Sequence, residues 1–247
     1  MSGFVVASLV PRLLDIHGDA QNAQVLAARA RWRGVDATVV DVETSADAAA
    51  QHPDAITIGA GFDADAAEIL AALRSFEGEL SGWVAAGVPL VAVGLGWELL
   101  SASVELAPGE HTPGLGVFPG RAVASERRVG TVAVDSAFGR LVGYEYHLRD
   151  YVRSGAEQPL GVVVSGIGNL VAGGREDGAV IGACVGTGIR GPVLARNPRL
   201  ADEVLLRAFA RRGIGAGEVD PRQSRADAHA ETANRIVLEN MRIGRNA

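Results

Sequence analysis

Lysine is absent from this sequence, so all 23 of its Lys-plus-Arg positions are arginine, against 29 Asp and Glu and a net charge of −6. That balance argues against nucleic acid or an anionic membrane surface as a partner, because both reward clustered cations. The all-arginine complement fits a high-GC genome better than a binding patch. Cysteine is nearly absent too, and Cys184 alone can form neither an internal disulfide nor a multi-thiolate metal site. The histidines are scattered at His17, His52, His111, His147 and His229, with no H-x-x-x-H pair, so no metal site is expected. No apolar run reaches the ~18–20 residues of a membrane span. No basic segment precedes an apolar stretch at the N-terminus, as a secretion signal would require. The expectation is a cytoplasmic protein that carries no cofactor.

The chain is otherwise ordinary for a globular protein, with 247 residues, 48% of them hydrophobic and 21% charged. That length buries a sizeable core. No repeat or long linker divides it, so residues 1–247 read as a single domain with 219–247 as a helical tail. Apolar, β-rich runs at Gly3–Val10, Ala37–Val42, Ala55–Gly61 and Leu90–Val93 predict strands. Between them, Ala23–Gly34, Ala64–Phe76 and the segment LSGWVAAG predict helices. Strands alternating with helices imply a parallel sheet covered on both faces. Beyond about residue 112 the short Gly-punctuated runs GLGVFPG, RVGTVAVD, LVGYEYHL, LGVVVSGIG and GAVIGACVG predict an antiparallel meander added to the same core. A helix over Pro198–Gly213 follows, with Asn197 as its expected cap. In the tail, Ala230, Ala233, Ile236, Val237 and Met241 recur at helical spacing. Such a stripe is usually covered, here by a partner or by the chain's own body.

The segment VPLVAVGLGWELL carries the most chemical information. A strand runs into a tight turn and straight on into a helix, the shape of a nucleophile elbow. The tip of this elbow offers Gly94, Leu95 and Gly96, none of which has a nucleophilic side chain. The glycine clusters Gly59–Gly61 and Gly94–Gly96 do not complete a dinucleotide fingerprint.

In order along the chain, LLDIHGDAQNAQVLAARARWRG, IGAGFDADAAEIL, GVPLVAVGLGWELL, GYEYH and GTGIRGPVLARNPRLADEVLL resemble successive landmarks of class I glutamine amidotransferases. The resemblance is to the CobB/CobQ-like group, and within it to the GatD-type glutaminase subunits of lipid II isoglutaminyl synthase. It covers roughly residues 3 to 240 and implies a three-layer α/β, flavodoxin-like fold with a mixed, mostly parallel sheet. By that resemblance the elbow cysteine is replaced by Gly94 and the general-base histidine by Arg190. Gly59, Ala60 and Gly61 match the oxyanion region, and Trp97 and Glu98 match the start of the elbow helix. His147 belongs to the G-Y-E-x-H strand. Together with Leu95, these residues make up a vestigial pocket without catalytic groups.

A thiolate mechanism needs sulfur and a base, and an arginine cannot accept the proton. Arg190 either fills the space left by histidine or forms an anion clamp; pairing with Glu98 would defeat the clamp. Cys184 reads as a core residue, His147 as structural, and His17 as a loop residue able to touch a ligand. What the resemblance implies is an amidotransferase-like subunit without glutaminase activity, working with a Mur-ligase-like ATP-dependent amide synthetase. The alternatives are an active amidotransferase subunit, supplying ammonia for cell-wall precursor or cobyrinate-like amidation, and a module binding a small anion or amino acid.

Overall fold

The computed structural model describes residues 3–169 and 174–241. In it the apolar runs of the N-terminal half are strands, buried on both faces except at the edge strand Ala37–Val42, where Thr38 and Asp41 are exposed. They are β1 (Phe4–Leu9), β2 (Ala37–Val42), β3 (Ala55–Ile58) and β4 (Leu90–Val93). Their connections hold the helices α1 (Gln21–Trp32), α2 (Ser45–Ala49), α3 (Ala66–Ser75) and α4 (Glu77–Ala85). The period-2 alternation splits each strand between two cores. Phe4 and Val6 of β1 pack toward the α1 side, and Ala7 and Leu9 pack with Ile69, Leu73 and Leu80 of α3 and α4. The short helix α2, which the hydrophobic pattern does not announce, is set by a capping box between Thr44 and Asp47.

After the elbow helix α5 (Leu95–Leu99) the chain builds β5 (Ser101–Ala107), β6 (Glu110–Pro113), the long hairpin β7 (Phe118–Ser136) and β8 (Gly139–Val152), then β9 (Gly161–Ser165) and β10 (Glu176–Asp177). These do not extend the first sheet as a simple meander. They form a second sheet of order β10-β9-β7-β5-β6, with β8 on β7 and with β5 and β7 parallel. The chain then returns through β11 (Ala179–Ile181) and β12 (Cys184–Thr187). These complete a first sheet of order β11-β12-β4-β3-β1-β2, parallel except at β11. The two-residue strand β13 (Ile189–Arg190) pairs with β8 and ties the second sheet to the elbow.

α6 (Val193–Arg196), α7 (Pro198–Arg212) and α8 (Pro221–Asn240) close the chain. Asn197 stands at the N-cap position of α7, but its side chain does not cap the helix. Its side chain instead accepts from Val142 N at 2.8 Å and donates to Val193 O at 2.8 Å, pinning β8 to α6. The tail takes one of its two expected covers, the chain's own body, but not through the expected apolar stripe. α8 lies on the chain's own body through polar groups: Asp227 pairs with Arg29 at 2.7 Å, Gln223 reaches Asp202, and Asn234 donates to Arg196 O at 2.7 Å. Ala233 and Ile236 of the expected stripe face solvent, and the docked face runs through Gln223, Ala230, Asn234 and Val237. Among the described residues, no helix is long and apolar enough to cross a membrane.

This topology sets up the site. The chain leaves β1 for β2 on one side and later crosses to β3 on the other, so a crevice opens at the C-terminal ends of β1 and β3. The loop after β1 meets the loop after β3 there, with Ile16 N donating to Ala60 O at 3.0 Å.

Candidate functional site: an elbow occupied by arginine

Gly94 follows β4 directly and has φ 52° and ψ −126°, a conformation that side chains rarely adopt. The elbow is therefore retained in backbone geometry. Its amide donates to Thr187 O at 3.0 Å, and its carbonyl accepts from Glu98 N at 3.0 Å. α5 starts at Leu95 rather than Trp97 because Gly96 lies against β3, its amide donating to Gly59 O at 3.2 Å. A Cβ at Gly96 would run into that carbonyl.

Arg190 occupies the space in front of the elbow. A Cβ built on Gly94 would lie 2.7 Å from Arg190 Cζ, 2.9 Å from its Nη2 and 3.0 Å from Ala60 Cβ. The guanidinium thus fills the volume into which a nucleophile's side chain would project. Arg190 stands opposite Tyr144 in the β13–β8 register, so the two share a face with Tyr146. Arg190 Cζ lies 5.5 Å from the Tyr146 ring centroid, and Tyr144 makes an edge contact with His17. Arg190 is 5% exposed, and its Nε and Nη1 are buried without hydrogen-bond partners among the described residues. Burial lowers its pKa from the usual arginine value, against the opposing pull of Glu98 and Asp19.

Glu98 does not pair with Arg190. It holds Arg149, whose Nε donates to Glu98 Oε2 at 2.6 Å while its two terminal nitrogens grip Asp63. Burial alone would lower the Arg149 pKa, but the two carboxylates outweigh it and raise it. Glu145, His147 and Arg149 alternate with the tyrosines and occupy the buried face of β8. His147 Nε2 lies 3.3 Å from Glu145 Oε2, and its ring packs on Gly188, away from the Arg190 face. Burial would raise the Glu145 pKa, but His147 and the amides of Gly168 and Ile167 hold it low. Trp97 turns inward too, stacked on Tyr151 at 4.3 Å between centroids.

The loop after β1 supplies Asp19, which residue patterns did not single out. Its Oδ2 accepts from Ala60 N at 3.1 Å, so an amide in the region matched to oxyanion binding is already engaged by a carboxylate. Its Oδ1 is buried, and the Gly191 amide also favours the charged carboxylate. Burial pushes the Asp19 pKa up to about 6, opposed by the Ala60 amide and Arg190. His17 sits beside it at φ 65°, one of two non-glycine residues with positive φ among the described residues, the other being Val10 at 46° in the same loop. Burial and Arg190 lower the His17 pKa.

Of the residues picked from sequence, Gly59, Ala60, Gly94, Leu95 and Arg190 come together at the elbow, whereas Gly61 faces Leu13, Leu14 and Ile69. Trp97, Glu98 and His147 belong to the buried cluster behind it. Tyr144, Tyr146 and Asp19 join the site unannounced, although the alternation in GYEYH already puts both tyrosines on one face. Cys184 is buried in β12, and burial pushes its thiol up to about 11, which suits a core residue and not a nucleophile.

The profile of the CobB/CobQ-like glutamine amidotransferase domain matches residues 5–198. The GatD subunit of lipid II isoglutaminyl synthase (glutamine-hydrolyzing) from Staphylococcus aureus (strain N315) is 28% identical over 204 residues, which cover 81% of this chain and 82% of that protein. The same subunit from Streptococcus pneumoniae (strain ATCC BAA-255 / R6) is 26% identical over 211 residues, covering 84% and 81%. A crystal structure of a glutamine amidotransferase superposes with a TM-score of 0.56 at 16% identity, over 82% of this chain and 98% of that one. That likeness bears on the fold, which is three-layered α/β.

Proposed function

This chain belongs to the CobB/CobQ-like glutamine amidotransferase family, and from that premise we propose that it is a subunit that does not hydrolyse glutamine. It acts as one amidotransferase-like unit with residues 219–247 as its tail. In the cytoplasm it supports or regulates a Mur-ligase-like, ATP-dependent amide synthetase. The observation that carries the reading is the Arg190 guanidinium lying 2.7 Å from where a Gly94 Cβ would be.

Hydrolysis of a side-chain amide needs a nucleophile, a base that shuttles its proton, and donors for the oxyanion. Gly94 has no side chain. A guanidinium has five donors and no acceptor, so Arg190 cannot take a proton. The Ala60 amide already donates to Asp19. An active enzyme using other residues finds no support, since Cys184 is buried in a strand and His147 lies on the far face of β8. The synthetase partner is supported by the two relatives, each a subunit of a lipid II isoglutaminyl synthase.

The test is a glutaminase assay on the purified chain. We expect no glutamate or ammonia above a heat-killed control. Protein-dependent glutamate formation that survives further purification removes the reading.

A further inference from the structure

The α1 face of the first sheet carries an open cleft of about 380 Å³ where β1 and β2 end, in front of the first turn of α1. None of the residues lining it belongs to the elbow. In the parallel register Ser8 stands beside Asp41, as Val6 stands beside Val39, so Ser8 and Asp41 share one face at the strand ends. Ser8 is 4% exposed and lines the cleft, and its hydroxyl has no hydrogen-bond partner among the described residues. A hydroxyl taken so far out of water is costly unless something meets it. The lining is also acidic: Asp15, Asp41 and Glu43 stand against Arg12, which is turned to Glu68 of α3. Asp15 already accepts from Ala20 N at 2.8 Å, and Glu43 from Arg12 N at 2.9 Å. Asp41 has neither a hydrogen bond nor an ion pair to its side chain among the described residues.

We infer that this cleft binds a small organic cation, a primary ammonium compound carrying hydroxyl groups, with its ammonium between Asp41 and Ser8. An ammonium has three donors and no acceptor, so it meets the Asp41 carboxylate and the Ser8 oxygen at once. The Ser8 proton is then free to go to a ligand hydroxyl, and the Gln21 and Gln24 amides offer donors and acceptors to the rest. The cation is extended and not a point ion, because among the described residues no three ligating side chains converge closely enough to hold a metal. The volume lies at the lower end of ligand pockets, roughly 300–1,000 Å³, which suits a molecule of sugar size. The cleft is separate from the elbow, so the site stands whether or not glutamine is hydrolysed.

The test uses the full chain at low ionic strength and mildly acidic pH, with glucosamine as the probe. Glucose supplies the hydroxyls without the charge, and tetramethylammonium supplies the charge without N–H donors. Calorimetry and thermal unfolding should show saturable, single-site binding of glucosamine and of neither control. In Asp41→Asn the affinity should fall about tenfold or more, as expected for losing a charge-assisted hydrogen bond. In Ser8→Ala it should fall about two- to tenfold. Asp41 is exposed on an edge strand, so its variant keeps the fold. A readout needing no variant is the side-chain amide region of the NMR spectrum, where Gln21 and Gln24 should move saturably with glucosamine. Equal binding of glucose or tetramethylammonium, an unchanged affinity in Asp41→Asn, or unmoved Gln21 and Gln24 resonances each overturn the site. Absence of saturable glucosamine binding at millimolar concentration does the same. Magnesium that binds saturably and displaces glucosamine assigns the carboxylates to a metal ion and overturns the organic-cation site as well.

Discussion

At the residue scale, the bare Gly94 turn and the placement of Arg190 are one arrangement in space. Gly94 tolerates φ 52° because it lacks a Cβ, and the absent side chain leaves the room that the guanidinium takes. Gly94→Cys must therefore bear two penalties. The backbone strain of a non-glycine residue in this region is roughly 1–3 kcal/mol. The new Cβ also displaces a buried guanidinium that has no alternative partner. We expect the single variant to be destabilised by at least that strain and to release no ammonia from glutamine. Gly94→Cys with Arg190→His should regain stability beyond additivity, because the second change removes the obstruction to the first. A double-mutant cycle by chemical denaturation checks this, with an expected coupling of about 1–3 kcal/mol. A coupling near zero would falsify the placement of Arg190 in the elbow.

Among the elements, α8 was legible as a helix but not as to what it covers. Its stripe of small apolar residues suggested an apolar seam, whereas the docked face is polar and anchored by Asp227 on Arg29, whose side chain is 4% exposed. Burial lowers the Arg29 pKa, but Asp227 and Asp202 outweigh it and raise it, so the arginine depends on carboxylates from two helices. Asp227→Ala leaves Arg29 with Asp202 only. Hydrogen bonds to charged groups contribute about 1.5–3 kcal/mol, and the partial exposure of Asp227 places the expected loss at about 1–2 kcal/mol. Ile236→Arg, on the solvent side at 48% exposure, should change stability by no more than about 0.5 kcal/mol. Equilibrium denaturation of the two variants separates the faces. If Ile236→Arg costs as much as Asp227→Ala, the helix is seated on its other side.

The whole molecule keeps more of an amidotransferase than core stability requires. A core persists wherever volume and patterning are kept, which accounts for β1, β3 and β4. It does not account for the tight Gly94 elbow, nor for the Glu98–Arg149–Asp63 network braced behind it. Retention of that scaffold is what the proposed subunit role requires. Co-expressed with a Mur-ligase-like synthetase, the chain should co-elute with it in size-exclusion chromatography at micromolar concentration. Because α8 is docked on the chain's own body, Ile236→Arg should leave that complex intact. Separate elution of the two proteins ends the partner reading while leaving the fold untouched.

The sequence by itself determined the strand–helix alternation, the order of the family's landmarks, the elbow, and a tip at Gly94 without a nucleophilic side chain. These are local matters, because periodicity and turn chemistry are written in residues near one another. Only the tertiary structure decided that Glu98 holds Arg149, 51 positions away, and not Arg190. It also decided that Asp19 takes the Ala60 amide across 41 positions, and that Asp227 reaches back 198 positions to Arg29. The reason is physical: burial makes each charge seek the partner that packing brings within reach. That choice depends on how β8, α5 and the loop after β1 converge, not on any one segment's composition.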